Sequence, residues 1–305
     1  MAGLKQIKAK IRSTDRTRKV TKAMEAVSGV KMRKSQERAF AGRPYAHAAL
    51  SILSRVAPSL TQSKHPLTEM RMGNRTLIVL ITSDKGLAGN LNGAVLKEAL
   101  RATEGVAKEN LSFICLGKRG YEFFLKRGYR ILSYRVNVSD NVSIDDLSTI
   151  TDEAVRHFIA EETDRVVVMY QNFKSTFEQA PTQATILPLN IDALRKSVSD
   201  ITPKTGKYSK VVESEAPASY TVEPSEEIIL GDLLPRLSRV MLYHAMLEAK
   251  ASEHSARMVA MKNASDKAKD VSKSLNLKFN KARQAAITRE VSEITGGIEA
   301  MAQAE

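Results

Sequence analysis

The stretch of this 305-residue chain that most invites a chemical reading is Ser83-Asp84-Lys85-Gly86-Leu87-Ala88-Gly89-Asn90. It follows an apolar run of strand length and precedes a helical pattern, the place where loops that cradle phosphate sit. Its spacing fits neither the dinucleotide fingerprint nor the Walker pattern, which needs Lys-Ser/Thr directly after a glycine. The spacing instead predicts a strand-to-helix turn whose glycines supply backbone freedom. Metal chemistry has no better footing. The five histidines (His47, His65, His157, His244 and His254) are scattered, and the last two stand ten residues apart on one helical pattern. Cys115 is the only cysteine and lies inside Phe113-Ile114-Cys115-Leu116. It reads as a buried structural thiol in a chain from a reducing compartment. No serine-centred elbow is present, so the residues point to no catalytic centre, no cofactor and no metal.

The elements that surround these residues say more than the residues do. All nine prolines fall between Pro44 and Pro235, and from Pro235 to Gly296 the chain has neither proline nor glycine. A helix over that stretch would run roughly 90 Å at about 1.5 Å per residue and needs a partner for its apolar stripe. The N-terminal segment supplies one. Leu4, Ile7 and Ile11 stand at helical spacing, no apolar side chain occurs from Arg12 to Lys19, and Val20, Met24 and Val27 resume the stripe. In the C-terminal helix Leu230, Leu234, Leu237 and Met241, then Ala268, Val271, Leu275, Phe279 and Ala282, keep near-heptad steps, with Ala251, Met258 and Met261 between them. This predicts an antiparallel coiled coil of the chain's two ends, whose tip near Ile294 projects alone or packs on something external. The middle alternates apolar strand-length runs (76–82, 111–116, 129–136, 165–170) with helical patterns, and 183–189 adds an edge strand after Pro181. The expected fold is therefore α/β: a long antiparallel coiled coil of the terminal helices plus a central Rossmann-like domain with a mainly parallel sheet. Its parts are a shaft helix (1–58), the central domain (75–189), a polar connector (190–225) and a second shaft helix (226–305).

A formal net charge of +13 and a pI near 9.7 call for an acidic partner, whether nucleic acid, anionic lipid or protein. The excess sits on the first helix. Residues 1–40 carry twelve lysines and arginines against Asp15, Glu25 and Glu37. Residues 1–39 hold no aromatic for base stacking, and no recognition module is evident. The basic start runs into polar helix, which predicts no secretory signal. The longest apolar run, 77–81, is far short of the about 20 residues a bilayer span takes.

Several blocks resemble one family. They are Ile11-Arg12-Ser13, Val20-Thr21-Lys22-Ala23-Met24-Glu25-Ala26-Val27-Ser28 and Lys31-Met32-Arg33-Lys34 near the start, and Thr82 through Asn92 in the middle. Near the end stand the block Ser252 through Asp266, with Ser252-Glu253-His254-Ser255-Ala256-Arg257-Met258 at its head, and Asn280-Lys281-Ala282-Arg283-Gln284-Ala285-Ala286-Ile287-Thr288-Arg289-Glu290. Their order and content resemble the gamma subunit of F-type ATP synthases. The resemblance implies a non-catalytic rotor stalk that binds no cofactor. Its terminal helices would stand inside a ring of alternating alpha and beta subunits, and its globular domain on the c-ring beside epsilon. It would turn ion-driven rotation into conformational change at the beta-subunit catalytic sites.

The same resemblance implies that Met24, Arg257, Gln284 and Thr288 engage beta, and that Tyr220 and Glu223 lie near the c-ring and epsilon. It also implies no contact with nucleic acid, contact with the membrane only through the c-ring, and a place on the cytoplasmic face of a bacterial plasma membrane. Two other readings stay open on the residues alone: a basic coiled-coil protein that binds nucleic acid, and an α/β enzyme that uses a nucleotide.

Overall fold

The computed structural model of the chain describes residues 2–41, 65–189 and 226–302. The expected connector at 190–225 lies outside them. The chain divides into two compact units, one of Met1–Val27 with Arg257–Glu305 and one of Ser28–Ala256. Helix α1 (Ala2–Ala41) and helix α5 (Glu226–Ala302) each contribute to both.

The Ser28–Ala256 unit is built on a five-stranded sheet. Its strands are β1 (Thr76–Ile81), β2 (Leu111–Leu116), β3 (Arg130–Arg135), β4 (Arg165–Phe173) and β5 (Gln179–Leu187), in the order β3-β2-β1-β4-β5. The first four pair in parallel, and β5 runs antiparallel to β4. All six residues of β1 are buried, as a central parallel strand covered on both faces requires. One face packs Leu77, Val79, Val166 and Val168 against α4 (Ile144–Ile159) and the first part of α5. The other packs Ile78, Leu80, Phe113 and Met169 against α2 (Leu91–Ala102) and α3 (Lys118–Leu125). Cys115 is buried in this second layer, where loss of hydration pushes its thiol up to about 12.

Local signals set the element ends. Ser143 caps α4 by accepting from the Asp146 amide at 3.2 Å, while the Asp146 side chain accepts from the Ser143 amide at 2.8 Å, a closed capping box. Gly117, between β2 and α3, has φ of 107°, and a Cβ there would lie 2.0 Å from the Thr82 carbonyl oxygen, so no side chain fits. Two expectations change. The edge strand starts at Gln179 and carries Pro181 within it, because a strand paired on one side only tolerates a missing N–H. Leu230, Leu234 and Leu237, expected in the coiled-coil seam, are buried in the sheet's hydrophobic core. Helical spacing identifies an apolar stripe but not the surface that covers it.

In the other unit α1 and α5 run antiparallel. Ser265 Oγ donates to the Arg18 carbonyl at 3.5 Å and Ser272 Oγ to Asp15 Oδ1 at 2.9 Å, so α5 ascends as α1 descends. The α5 seam is Met261, Ser265, Ala268 and Ser272, all buried, and Val271 is exposed rather than inside. Small seam residues let two backbones approach closely while one hydroxyl finds a carbonyl and the other a carboxylate.

Candidate functional site on the terminal helices

In open α/β sheets a ligand crevice forms at the carboxyl ends of the strands where the strand order reverses. Here that point lies between β1 and β4, and α5 fills it. Ile81, Thr82 and Ser83 meet Gln171, Met246, Ala249, Lys250 and Glu253, leaving about 10 Å³ for the centre of a water-sized body. A small-molecule pocket is on the order of 300–1,000 Å³. The glycine-bearing loop spends its polar groups internally. The Ser83 amide donates to Asn92 Oδ1, Asn92 Nδ2 donates to Ser83 Oγ, and Ser83 Oγ donates to the Lys85 carbonyl. The Lys118 amide donates to Asp84 Oδ1. Leu87 and Gly89 both sit at positive φ, 63° and 58°, which gives a tight strand-to-helix turn. This arrangement is an anchored turn rather than a phosphate cradle. Among the described residues no three His, Cys, Asp or Glu side chains group as a metal site.

The candidate site is therefore the surface of the two long helices. Along α1 the inward positions are Leu4, Ile7, Ile11, Thr14, Arg18, Thr21, Glu25, Ser28, Met32 and Ser35, buried or half-buried at alternating steps of three and four. The heptad thus runs unbroken through the stretch that lacks apolar residues, carried there by Thr14 and Arg18 and continued by Thr21. Apolar type alone misplaced it: Val20 and Val27 are each more than half exposed, on the outer side. A heptad position rather than hydrophobicity would have found the seam. Arg12, Arg16 and Lys19 are exposed, so the basic charge faces outward.

The residues expected to engage a partner fall into two groups. Gln284 and Thr288, four apart on α5, are exposed and share a face. Met24 is half-buried and Arg257 is only 8% exposed. The antiparallel register brings these two towards one level of the helix pair. Tyr220 and Glu223 lie outside the described residues. Further along α5, Ile287, Val291, Ile294 and Ile298 are each at least half exposed at steps of four and three, an uncovered apolar stripe. The sequence predicts a free tip near Ile294, and the exposed stripe begins earlier, at Ile287.

A cluster that no motif announced lies in the Ser28–Ala256 unit. Asp140, between β3 and α4, accepts from Lys31 at 2.7 Å and meets His254 Nε2 at 2.9 Å and Lys250 Nζ at 3.6 Å. Its carbonyl accepts from Arg38 at 2.7 Å. The His254 and Lys31 hydrogen bonds hold its carboxyl well below the usual carboxylate range, against the opposing effect of burial.

The chain has counterparts among known proteins. A family model described as ATP synthase matches residues 3–301. The chain is 38% identical over 302 residues to the ATP synthase gamma chain of Halothermothrix orenii, covering 99% of this chain and all of that one. It is 35% identical to that of Brevibacillus brevis, covering 98% and 99%.

The chain belongs to the ATP synthase gamma-chain family.

Solved structures carry the same fold. A chain of the Euglena gracilis mitochondrial ATP synthase (OSCP/F1/c-ring) superposes with a TM-score of 0.64 at 18% identity, covering 98% of this chain and 95% of that one. One from the Tetrahymena thermophila mitochondrial ATP synthase central stalk and c-ring gives 0.58 at 26% identity, covering 81% and 99%. A gamma-family chain is the non-catalytic stalk component of the synthase, and a filled switch-point crevice suits that role. No helix among the described residues is long and apolar enough to cross a membrane.

Proposed function

We propose that this chain is the central rotor shaft that couples ion-driven turning of a c-ring to ATP synthesis or hydrolysis on beta subunits. Its terminal helices stand inside an alternating ring of alpha and beta subunits, and its α/β unit bears on epsilon and the c-ring. The complex sits on the cytoplasmic face of a bacterial plasma membrane, which this chain meets only through the c-ring. Full-length identity to gamma chains carries the reading. The helix pair supports it: its seam holds it together through small and polar groups, while its outer face stays charged and open.

Each face of an asymmetric shaft biases a beta subunit by the difference in contact free energy between that subunit's states. Gln284 and Thr288 offer short polar contacts of this kind on α5. Met24 and Arg257 act nearer the middle of the pair, with Arg257 reached only along its edge. The exposed cations of α1 meet acidic loops on beta without fixing one rotational position, because solvated charge pairs are weak and undirected.

The test is the native mass of this chain co-expressed with alpha and beta subunits from the same genome. One copy held by three alpha and three beta chains is expected. A monomer beside well-folded partners would remove the reading, and salt-sensitive retention on DNA would then favour a nucleic-acid role.

A further inference from the structure

The filled crevice between β1 and β4 retains one feature that torque transmission does not use. Gln171, on β4, is 3% exposed. Its Nε2 donates to the Leu91 carbonyl at 2.8 Å. That bond fixes the amide orientation, since the flipped form would set two oxygens against each other. Gln171 Oε1 is left buried without a hydrogen-bond partner. Such an orphan is rare in a folded protein, and its usual remedy is an internal water.

The cavity beside it suits that remedy in size and in lining. The space open to a water-sized centre is about 10 Å³, close to that of one molecule. Ser83, Asn92, Lys250 and Glu253 supply polar groups around Gln171, while Ile81 and Met246 close the apolar side. The unmet group is an acceptor, so the occupant must donate. A metal cation would need about six or more oxygen ligands around it, more than a cavity of this size can seat. Water donates twice and accepts twice, which matches a lining that contains both an amide oxygen and charged groups.

We propose that this cavity binds a single internal water molecule that donates to Gln171 Oε1 and bridges it to the polar side chains of α5. A direct bond already ties the same residue to that helix, since Ser252 Oγ donates to the Gln171 carbonyl at 3.0 Å. The water is then a second link between the sheet's carboxyl edge and α5, placed at the switch point where open α/β sheets commonly hold a ligand.

The test uses the intact chain, alone or assembled with alpha and beta. A crystal structure that shows ordered solvent is expected to place an isolated peak about 2.5–3.0 Å from Gln171 Oε1. Oxygen-17 relaxation dispersion in solution is expected to lose one long-residence water in Gln171→Leu, with the other internal waters kept. Clean density at the cavity in a map that resolves other buried waters would overturn the proposal, whether or not the variant folds. So would a peak that exchanges for rubidium with an anomalous signal, which would make the site a cation site. An unchanged dispersion amplitude in a folded Gln171→Leu chain would also overturn it.

Discussion

Asp140 shows how one residue binds several elements of the Ser28–Ala256 unit. Its carboxylate faces Lys31 of α1 and both Lys250 and His254 of α5, and its neighbour Asn141 accepts from Arg38. Charge-assisted bonds are individually stronger than neutral ones, but this group is partly exposed and solvent screens it. We predict that Asp140→Ala costs about 1–2 kcal/mol in urea unfolding at neutral pH. The sign with pH follows from the lowered carboxyl. Its contribution is fully present above the unfolded-state value, about 3.9, and is lost as pH falls through the folded value. The gap between wild type and variant is therefore expected to shrink below about pH 4. A gap that widens in acid would contradict this account. Asp164 is the more buried carboxylate, bound by Arg75 through Nε, Nη2 and the backbone amide at 3.0, 2.7 and 2.8 Å. The Arg75 hydrogen bond holds it below its ordinary value. Asp164→Ala is expected to cost about 2–3 kcal/mol by the same measurement, since it leaves the Arg75 amide without its acceptor.

At the scale of elements, the seam of α1 makes the sharpest test. Val20 is apolar and exposed, whereas Met32 is 7% exposed. Val20→Gln is expected to change stability by no more than about 0.5 kcal/mol, and Met32→Ala to cost about 2 kcal/mol or more. Equal costs for the two would mean that the heptad assignment is wrong. In the α5 seam, Ser265→Leu inserts volume where the backbones are close, and about 1–3 kcal/mol is expected to be lost. Helix α4 depends on its capping box. Removing the Ser143 hydroxyl by Ser143→Ala is expected to cost about 1 kcal/mol, read as faster amide exchange in the first turn of that helix.

At the scale of the whole chain, the proposed function rests on surfaces that folding does not use. Gln284 and Thr288 are exposed, so the double variant Gln284→Ala with Thr288→Ala is expected to melt like wild type. In membranes carrying the assembled complex, it is expected to lower proton pumping per ATP hydrolysed. Normal pumping with normal assembly would remove these two residues from the coupling surface. The net charge of +13 belongs to this scale as well. It sets how strongly the chain meets acidic partners and how steeply that association weakens with salt, not which fold it takes.

Much of this was legible in the sequence, and the rest was not for definite reasons. The run 76–82 reads as a central strand, because its five consecutive apolar residues, 77–81, need cover on both faces. The absence of proline and glycine between Pro235 and Gly296 predicts a long helix, since nothing in that stretch interrupts one. The blocks around Met24, His254 and Gln284 carried the family and with it a stalk rather than an enzyme. The partner of each apolar face lay beyond such reasoning. Leu230, Leu234 and Leu237 keep heptad steps yet pack on the sheet, while the α1 seam passes through Thr14, Arg18 and Thr21 and leaves Val20 outside. Asp140 gathers groups more than a hundred residues away from it, and Gln171 Oε1 lies buried without a partner beside a cavity walled in part by α5. Local pattern determines which residues form an element and which side of it is apolar. Only the tertiary structure decides what that side meets, because burial and charge pairing depend on contacts between residues far apart in the chain.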